Sequence, residues 1–457
     1  MANNFGSIDK NLIEKYDIPS FDYIEYPHKS FWSTDVGDAD FRKTLLKYKD
    51  SANQTALYIH IPFCTQMCYF CLCHKEITSD YSKVRAYLDT LFLEIENLHG
   101  FLKDNSMNIN AKEIYIGGGS PTIIKEAEFD LLLEKIGLIA DFSNVYQLTV
   151  EIDPRKTTAE MLKYYYSKGV NKISIGIQDF DPEVQKSVNR IQPPEIVEAL
   201  LVPSVRKYFK SINFDILVGL PKQTVSTISN TMHRVMKMSP DRISFTYLNY
   251  SPKNYTHQAL MLKDAVLPDM IERRRLFDAG LKIILNNGYV RNGYEHFSKP
   301  ADDVAKAREE NKAKYSSLGV TQGNCTEMFG LGRHSYSGIF DYYFQHFYEQ
   351  TMFEKSVREG SFPVYRGYHM DKDDILRREI IQSLRTNFEI DTKDIADRFN
   401  INFAEYFSVE LLELEPLAAD GLVGLSGGKI VVTEVGRPFT LRVCQTFDKY
   451  IRQQKQK

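Results

Sequence analysis

Residues 58–73 read YIHIPFCTQMCYFCLC, and four of the six cysteines of the 457-residue chain lie in this stretch. Cys64, Cys68 and Cys71 are separated by three and then two residues, so one short loop carries three thiols. A cluster of four irons takes one thiolate for each iron, and three cysteines therefore leave one iron with an open coordination site. The spacing predicts an iron–sulfur cluster that binds a small molecule at its fourth iron.

A structural zinc site is the alternative for these cysteines, with Cys73 or His74 as the fourth ligand. Zinc sites of this kind usually consist of two CxxC half-sites a dozen or more residues apart. The sequence has no second half-site, because Cys325 and Cys444 stand alone. The loop also follows directly on an apolar strand, as an active-site loop at the mouth of a barrel does. Both features favour the iron–sulfur interpretation, in which Cys73 is not a ligand.

The composition is that of an ordinary globular protein, with 43% hydrophobic residues, 26% charged residues and a net charge of −3. It excludes a disordered chain and a coiled coil, and its charge balance gives no basis for binding nucleic acid or a membrane surface. No apolar run approaches the length of a membrane span, and the polar N-terminus lacks a secretory signal. We therefore expect a cytoplasmic monomer, in whose reducing surroundings clustered thiols indicate a metal rather than disulfides.

Six short apolar segments alternate with amphipathic helical patterns from residue 57 onward. This alternation predicts βαβ units and a parallel sheet, which is either wound open or closed into a full or partial barrel. We expect an N-terminal extension that packs near the active site (1–55), a barrel domain (56–355) and a C-terminal domain (356–457). The last consists of helices followed by a hairpin at GLVGLSGGKIVV, as in a winged helix. Mixed charge on its helices favours a structural or substrate-covering role over DNA binding.

Glycines and carboxylates follow the ends of the predicted strands. Gly118, Gly119 and Ser120 form either a simple tight turn or a turn whose free N–H groups approach a polar ligand. Glu151 ends the next strand, where a carboxylate can accept hydrogen bonds from ribose hydroxyls, and Asp153 has helix capping as its alternative role. Because the carboxyl ends of parallel strands meet at one edge of a sheet, we expect these groups beside the cysteines.

The cysteine motif resembles the signature of the radical S-adenosylmethionine (SAM) superfamily. The whole chain resembles the oxygen-independent coproporphyrinogen III oxidases, through YIHIPFC and the added CxC, then in order through IGGGSPT, VEIDPR, SIGIQDF, VNR, FDILVGLPKQT, PDR, GLV and FDKYIR. The resemblance implies an α/β fold, a partial (β/α)6 barrel with a helical, winged-helix-like C-terminal domain. It also implies a 4Fe-4S cluster on Cys64, Cys68 and Cys71, and two SAM molecules.

Individual roles follow from the same resemblance. Gly118, Gly119 and Ser120 match the motif that binds the ammonium group of the cluster-bound SAM, and Tyr58 matches a contact to that molecule. A second SAM is implied at a set of residues near the strand ends: Phe70, Glu151, Gln178, Arg190 and Asp215. Further candidates are Asn249 and Tyr336 for cofactor binding, and Tyr58, Arg333 and His334 for catalysis.

Four segments depart from the family's usual motifs: Asp22, Tyr247–Pro252, Tyr294–Phe297 and Gly332–Ser337. Asp22 stands where the family has an arginine, which argues against a substrate with four propionates, although Arg333 and His334 offer compensating polar groups. These changes leave the identity of the substrate open.

The leading interpretation is a 5′-deoxyadenosyl radical that takes a hydrogen atom from a propionate side chain, which then loses carbon dioxide and an electron to give a vinyl group. In the alternative, the second SAM donates a methyl or methylene group to an unsaturated acceptor. A cluster- or haem-binding carrier without catalysis is the third possibility, and the full set of cofactor motifs argues against it. We expect a small-molecule substrate and a reductant protein such as flavodoxin or ferredoxin.

Overall fold

Twelve strands of one large sheet form the scaffold of the computed structural model, which describes residues 10–17 and 23–455. They are labelled in chain order: Gln54–Ile61 (β1), Ala111–Gly118 (β2), Gln147–Ile152 (β3), Lys172–Gln178 (β4), Ser211–Val218 (β5), Arg242–Tyr247 (β6), Val290–Arg291 (β7), His296–Ser298 (β8), Cys325–Leu331 (β9), Tyr336–Ile339 (β10), Tyr342–His346 (β11) and Val364–His369 (β12). Their order across the sheet is β12-β11-β10-β9-β1-β2-β3-β4-β5-β6-β8-β7.

The parallel part of the sheet runs from β9 through β1 to β6, and antiparallel strands extend it at both edges. The six predicted strands correspond to β1–β6, and the predicted α/β fold class is confirmed. β9 is a seventh parallel strand that was not predicted. Its partners are distant in sequence, since Leu57 on β1 pairs with Phe329 on β9. Polar residues such as Thr326 and Glu327 also dilute its apolar pattern.

Each barrel strand alternates between an apolar outer face and a polar inner face. In β4, Ile173, Ile175 and Ile177 are buried in the main apolar core beneath the helices. The alternate residues Lys172 and Ser174 line the interior cavity. The period of two residues along a strand accounts for this division. The sheet thus encloses a polar interior while its outer face packs against helices.

Helices follow the barrel strands and cover the outer face of the sheet: Tyr81–Asp104, Glu126–Ile136, Ala159–Ser167, Pro182–Ser187, Pro194–Leu200, Pro203–Arg206, Val225–Met238 and Met270–Asn286. The helix Met270–Asn286 begins after Asp269, whose side chain accepts the Glu272 N–H. Shorter helices lie at Asp38–Leu46, Asp303–Glu309 and Gln350–Arg358. None of the helices in the described residues combines the length and apolar character that crossing a bilayer requires.

Two small pairs of strands frame the interior cavity. Phe63–Cys64 pairs in parallel with Glu76–Ile77, so the cysteine loop is held at both of its ends. Lys314–Ser316 and Gly319–Thr321 form an antiparallel hairpin whose residues line the cavity. This hairpin, which was not predicted, separates the main cavity from a smaller second one, because Tyr315 and Leu318 contribute to both.

The C-terminal part has its own apolar core and consists of a three-stranded antiparallel sheet and several helices: Glu389–Asp391, Val423–Ser426 and Lys429–Val432 for the sheet, and Lys372–Asn387, Thr392–Phe399, Phe403–Tyr406, Ser408–Ala419, Thr440–Thr446 and Lys449–Lys455 for the helices. The predicted hairpin is present, with Gly427 and Gly428 at positive φ in its turn. Ile13 and Tyr16 of the N-terminal helix Lys10–Tyr16 join this core, whereas Ile24 lines the main cavity. The proposed domain boundaries stay a prediction.

Candidate functional site

A cavity of about 510 Å³ lies inside the barrel and contains most of the predicted site residues. Its lining includes Cys64, Cys68 and Cys71 at the carboxyl ends of the strands. It also includes nine of the predicted cofactor residues: Phe70, Gly118, Gly119, Ser120, Glu151, Gln178, Arg190, Asp215 and Asn249. The lining of this cavity therefore contains residues that are up to 185 positions apart in the chain.

Contacts from distant segments fix the backbone of the cysteine loop. The Asn189 side-chain amide donates to the Met67 carbonyl (2.7 Å), and the Gln258 amide donates to the Phe70 carbonyl (3.2 Å). His257 Nε2 lies 2.8 Å from the Cys71 carbonyl. Sequence analysis did not find these anchors, because nothing local in the chain connects residues 189 and 257–258 with the loop.

Cys68 and Cys71 lie close enough to Cys64 to act on the protonation of its thiol. Burial, together with the neighbouring Cys71 and Cys68, raises the pKa of Cys64 to about 12. A hydrogen bond from the Cys73 thiol lowers the pKa of Cys71 to about 5. Three thiols that converge at the mouth of a cavity fit the thiolate set of an iron–sulfur cluster, which also removes the protons from its ligands.

Two guanidinium groups approach Cys68. Nη1 of Arg190 lies 3.5 Å and Nη2 of Arg155 lies 3.8 Å from the Cys68 sulfur. Arg155 also pairs with Asp153 at 2.7 Å, and Arg190 donates to the Gly176 carbonyl at 2.8 Å. Positive charge and N–H groups beside a thiolate stabilise its negative charge. Asp153 does not cap a helix, because the next helix begins at Ala159 with Thr158 as its cap.

The glycine turn differs from the expectation of free N–H groups. Gly118 donates its N–H to Glu151 (2.9 Å), Gly119 donates to the Ile61 carbonyl (2.8 Å) and Ser120 donates to the Phe63 carbonyl (2.7 Å). The last two bonds join the turn to the strand that leads into the cysteine loop. The expectation of free N–H groups was wrong, because the Glu151 side chain and the carbonyl groups of residues 61 and 63 accept from these donors. An ammonium group itself needs acceptors, which the turn provides as carbonyl oxygens and the Ser120 hydroxyl.

Glycine is required in this turn because the neighbouring backbone is close. A Cβ atom on Gly119 would lie 2.6 Å from the Phe63 carbonyl oxygen and 2.9 Å from the Ile61 carbonyl oxygen. Gly118 adopts a φ of +110°, and a Cβ atom there would lie 2.5 Å from the His60 ring. Both the conformation and the space therefore exclude larger side chains.

Glu151 is half-buried near the end of β3, and each of its two oxygens accepts a hydrogen bond. Oε1 accepts from the Tyr115 hydroxyl (2.9 Å) and Oε2 accepts from the Gly118 N–H (2.9 Å). Burial raises the pKa of this carboxyl group to about 7. A carboxyl group held in this way can accept hydrogen bonds from ligand hydroxyls on its remaining lone pairs.

Gln178 is the last residue of β4, whereas Asp215 lies in the middle of the neighbouring strand β5, and both line the cavity. The register between these strands shifts at Gly176 and Gln178, and Gln178 adopts a φ of +67°. A bulge of this kind turns a side chain toward a site at a cost in backbone strain. Asp215 accepts from Ser174 and Asn213, both at 2.8 Å, and burial raises its pKa.

Four predicted residues do not line the main cavity. The Tyr58 hydroxyl lies 2.9 Å from His60 Nδ1, at the back of the glycine turn. Arg333 is buried and donates to Glu76 (3.3 Å), so it supports the strand pair beneath the cysteine loop. The His334 ring lies 4.5 Å from that of His74, and burial lowers its pKa to about 2. Tyr336 lines the second cavity, of about 410 Å³.

The departures from the family pattern have different positions. Asp22 lies outside the described residues. Tyr247 accepts from buried Arg274 at 2.8 Å and stacks on Phe277, which makes it part of the packing between β6 and the following helix. Tyr294 belongs to the C-terminal core. The substituted residues at Tyr247 and Tyr294 thus have packing roles, in addition to the contact of Tyr247 with the cavity.

The polar inner faces of β3–β6 are the part of the site that sequence analysis missed. They contribute a ladder of hydrogen-bonding groups: Gln147, Thr149, Lys172, Ser174, Ser211, Asn213, Arg242 and Ser244. The signal was present as the polar half of each strand's alternation, while the apolar half alone was used to predict the strands.

Comparison with known proteins identifies the class. A model of the radical SAM superfamily matches residues 58–235, and a model of the HemN C-terminal domain matches residues 370–439. The chain is therefore a radical SAM enzyme, and this class implies a 4Fe-4S cluster and SAM.

Full-length relatives identify the family. The chain is 34% identical to the oxygen-independent coproporphyrinogen III oxidases of Salmonella typhimurium and Escherichia coli, over 97% of this chain and 96% of each relative. The solved coproporphyrinogen III oxidase (HemN) of Escherichia coli superposes with a TM-score of 0.89 at 33% identity, covering 97% of this chain and all of that one. The chain belongs to the oxygen-independent coproporphyrinogen III oxidase family.

Proposed function

We propose that the protein catalyses the radical oxidative decarboxylation of a propionate side chain of coproporphyrinogen III. One observation carries the proposal: the three cysteines and nine predicted cofactor residues line a single cavity in a chain that matches the named oxidases end to end. The methyl- or methylene-transfer alternative has no comparable support, since the relatives that match over the whole chain carry the oxidase name.

When bound, the cluster and SAM supply the electron and the 5′-deoxyadenosyl radical that removes hydrogen from the substrate. The chain's own residues bind and orient the cluster and SAM. We assign Cys64, Cys68 and Cys71 to the cluster, and the Ser120 hydroxyl with the carbonyl groups of the glycine turn to the ammonium group of SAM. Glu151 accepts hydrogen bonds from ribose hydroxyls, because its position is fixed by Tyr115 and Gly118. The enclosed barrel interior keeps water from the radical.

A second SAM molecule is part of the proposal, beside the first in the same cavity. Arg190 provides a cation for the carboxylate of this second SAM, and Asp215 provides an anion for its ammonium group. Phe70 and Gln178 lie on the same cavity lining. We expect equilibrium dialysis of the cluster-loaded protein to give two SAM molecules per chain, and one in the Arg190→Gln variant. A single molecule bound to the wild type would contradict this assignment.

We also propose that a one-electron donor protein such as flavodoxin or ferredoxin reduces the cluster of a monomeric enzyme. Thr65, Gln66 and Cys73 are exposed, so one side of the cysteine loop is open to solvent. This exposure supports approach by a donor protein, although Cys68 of the same loop is buried.

The proposed reaction predicts that carbon dioxide is released only when coproporphyrinogen III is supplied. The protein should be loaded anaerobically with iron, sulfide and SAM, and then reduced. We expect 5′-deoxyadenosine and carbon dioxide to form together, with a propionate converted to a vinyl group. S-adenosylhomocysteine formed with another acceptor would instead support carbon transfer. SAM cleavage that is indifferent to coproporphyrinogen III would contradict the proposed substrate.

A further inference from the structure

The inner end of the cavity lies far from the cysteines and has a chemistry of its own. Lys172 is the first residue of β4, and Gln178 is the last. Six residue steps along the strand, or about 20 Å, therefore separate the inner end of the cavity from the cofactor end. Lys172, Ser211 and Arg242 come from neighbouring strands there, and Tyr315 and Ser316 of the hairpin close the space. None of these residues is used in the proposed cofactor sites.

Lys172 contributes a buried positive charge to this end. Its side chain is 4% exposed, and its ammonium group donates to the Gln147 side-chain oxygen at 2.6 Å. In the described part of the chain no carboxylate forms an ion pair with it, and Asp302 and Glu113 act on it only at longer range. Burial and nearby Arg242 lower its pKa to about 7. A buried ammonium without an anionic partner is costly, which suggests that a ligand completes the pair.

The other cation at the inner end is already neutralised. Arg242 pairs with Asp302 at 2.9 Å, and Nε of Arg242 donates to both carboxylate oxygens. Arg242 and its partner therefore add no net charge, and the protonated form of Lys172 supplies the positive charge at this end. This charge favours an anion over a neutral ligand.

Unpaired polar atoms on the same lining provide an independent indication of a ligand. Asn292 is 1% exposed, and its side-chain oxygen has no hydrogen-bond partner. Nδ1 of His296 is buried and likewise unpaired. His296 lies near Arg242, because it pairs with Ser244 two residues further along β6, and Arg242 lowers the pKa of both His296 and Lys172. Buried polar atoms are almost always paired in native proteins, so these atoms indicate a polar group that binds among them.

We propose that the inner end of the cavity is a carboxylate subsite, in which Lys172 pairs with a carboxylate of the substrate. This inference rests on the proposed function and deepens it. The carboxylate is a propionate on the side of the macrocycle away from the reacting one, while the reacting propionate lies toward the cysteines. Lys172 then determines specificity: it selects substrates that carry a second acidic arm at this distance.

The test measures binding without turnover. The protein is loaded with its cluster and SAM, no reductant is added, and binding of coproporphyrinogen III is measured by anaerobic equilibrium dialysis beside its tetramethyl ester. Lys172→Met removes the charge at similar length, Lys172→Arg keeps the charge, and Lys163→Met removes an exposed lysine on the outer helix Ala159–Ser167. Lys172→Gln serves as a second neutral variant should the methionine variant fold poorly.

We expect Lys172→Met to weaken binding of the free acid by about 10- to 100-fold, the size of one lost hydrogen bond between charged groups. Binding of the ester and of SAM should change little, Lys172→Arg should restore most of the affinity, and Lys163→Met should match the wild type. The melting temperature of the ligand-free methionine variant should equal or exceed that of the wild type, because a desolvated charge is removed.

Unchanged affinity for the free acid in both neutral variants would overturn the subsite while leaving the oxidase proposal intact. The subsite would also be overturned if the neutral variants bound one SAM molecule fewer but bound coproporphyrinogen III normally. The inner end would then hold the carboxylate of SAM. If the wild type neither binds coproporphyrinogen III nor releases carbon dioxide from it, the proposed function fails, and the subsite fails with it.

Discussion

Replacement of Cys64 by alanine is expected to lower SAM cleavage by roughly 1,000-fold or more, because the cluster supplies the electron and no other group in the site replaces it. Iron and sulfide analysis, the absorption of the reduced and oxidised protein, and the yield of 5′-deoxyadenosine measure the effect. The same loss is expected for Cys68 and Cys71, since a cluster with an open fourth iron needs each of the three thiolates.

Two other cysteines provide the controls. Cys325 is half-buried at the start of β9, and its replacement by alanine should leave iron, sulfide and activity unchanged. The Cys73→Ala variant should keep its iron and sulfide, because the Cys73 thiol forms a hydrogen bond with Cys71 and is not one of the three assigned ligands. Bound zinc in place of iron, lost together with Cys73, would establish the zinc alternative. A cluster that survives the loss of Cys64, Cys68 or Cys71 would contradict the ligand assignment.

The parallel half of the fold could be predicted because its information is local. β1–β6 each have a short apolar run, a helical pattern follows each of them before the next strand, and Met270–Asn286 carries a clear helical period. β9 and the antiparallel strands at the edges lack that pattern. Their positions depend on pairs such as Leu57 with Phe329, which are distant in the chain. Sequence periodicity contains no information about such pairs.

The site divides in the same way. Residues such as Glu151 and Gln178 stand at or next to strand ends, so the geometry of a parallel sheet brings them to the cavity. Arg333 lies in the turn after β9 and Tyr336 is the first residue of β10, and the packing of that turn decides which way each faces. Arg333 donates to Glu76 behind the loop, and Tyr336 lines the second cavity. Their predicted roles therefore rested on the resemblance alone, and these roles stay predictions.

The glycine turn was predicted in part: its residues could be recognised from the sequence, and their hydrogen-bond partners could not. The donors of Gly119 and Ser120 bond to the carbonyl groups of Ile61 and Phe63. These two hydrogen bonds therefore hold the start of the cysteine loop at a fixed distance from the glycine turn at the end of β2. Its close packing gives the second large expected effect.

Gly119→Ala is expected to reduce SAM cleavage by about 100-fold, the scale of a misplacement of about 1 Å at a reacting centre. The added Cβ atom would lie 2.6 Å from the Phe63 carbonyl oxygen and 2.8 Å from the Phe63 nitrogen, and both are backbone atoms. The turn and the strand entering the cysteine loop must therefore move apart, which stretches the two hydrogen bonds between them. We expect weaker SAM binding and easier loss of iron, measured by equilibrium dialysis and by iron release to a chelator.

Gly100→Ala is the matched control for this variant. Gly100 lies within the helix Tyr81–Asp104, and a Cβ atom there has no heavy atom within 4 Å. Alanine is also the better helix former by about 1 kcal/mol, so the control should be as stable as the wild type or more so, with full activity. Should Gly119→Ala bind SAM and retain iron as the control does, the close contact between turn and loop would not position the cofactor. A loss confined to Gly119→Ala, in a protein that still folds, would locate the effect at the contact between the glycine turn and the cysteine loop.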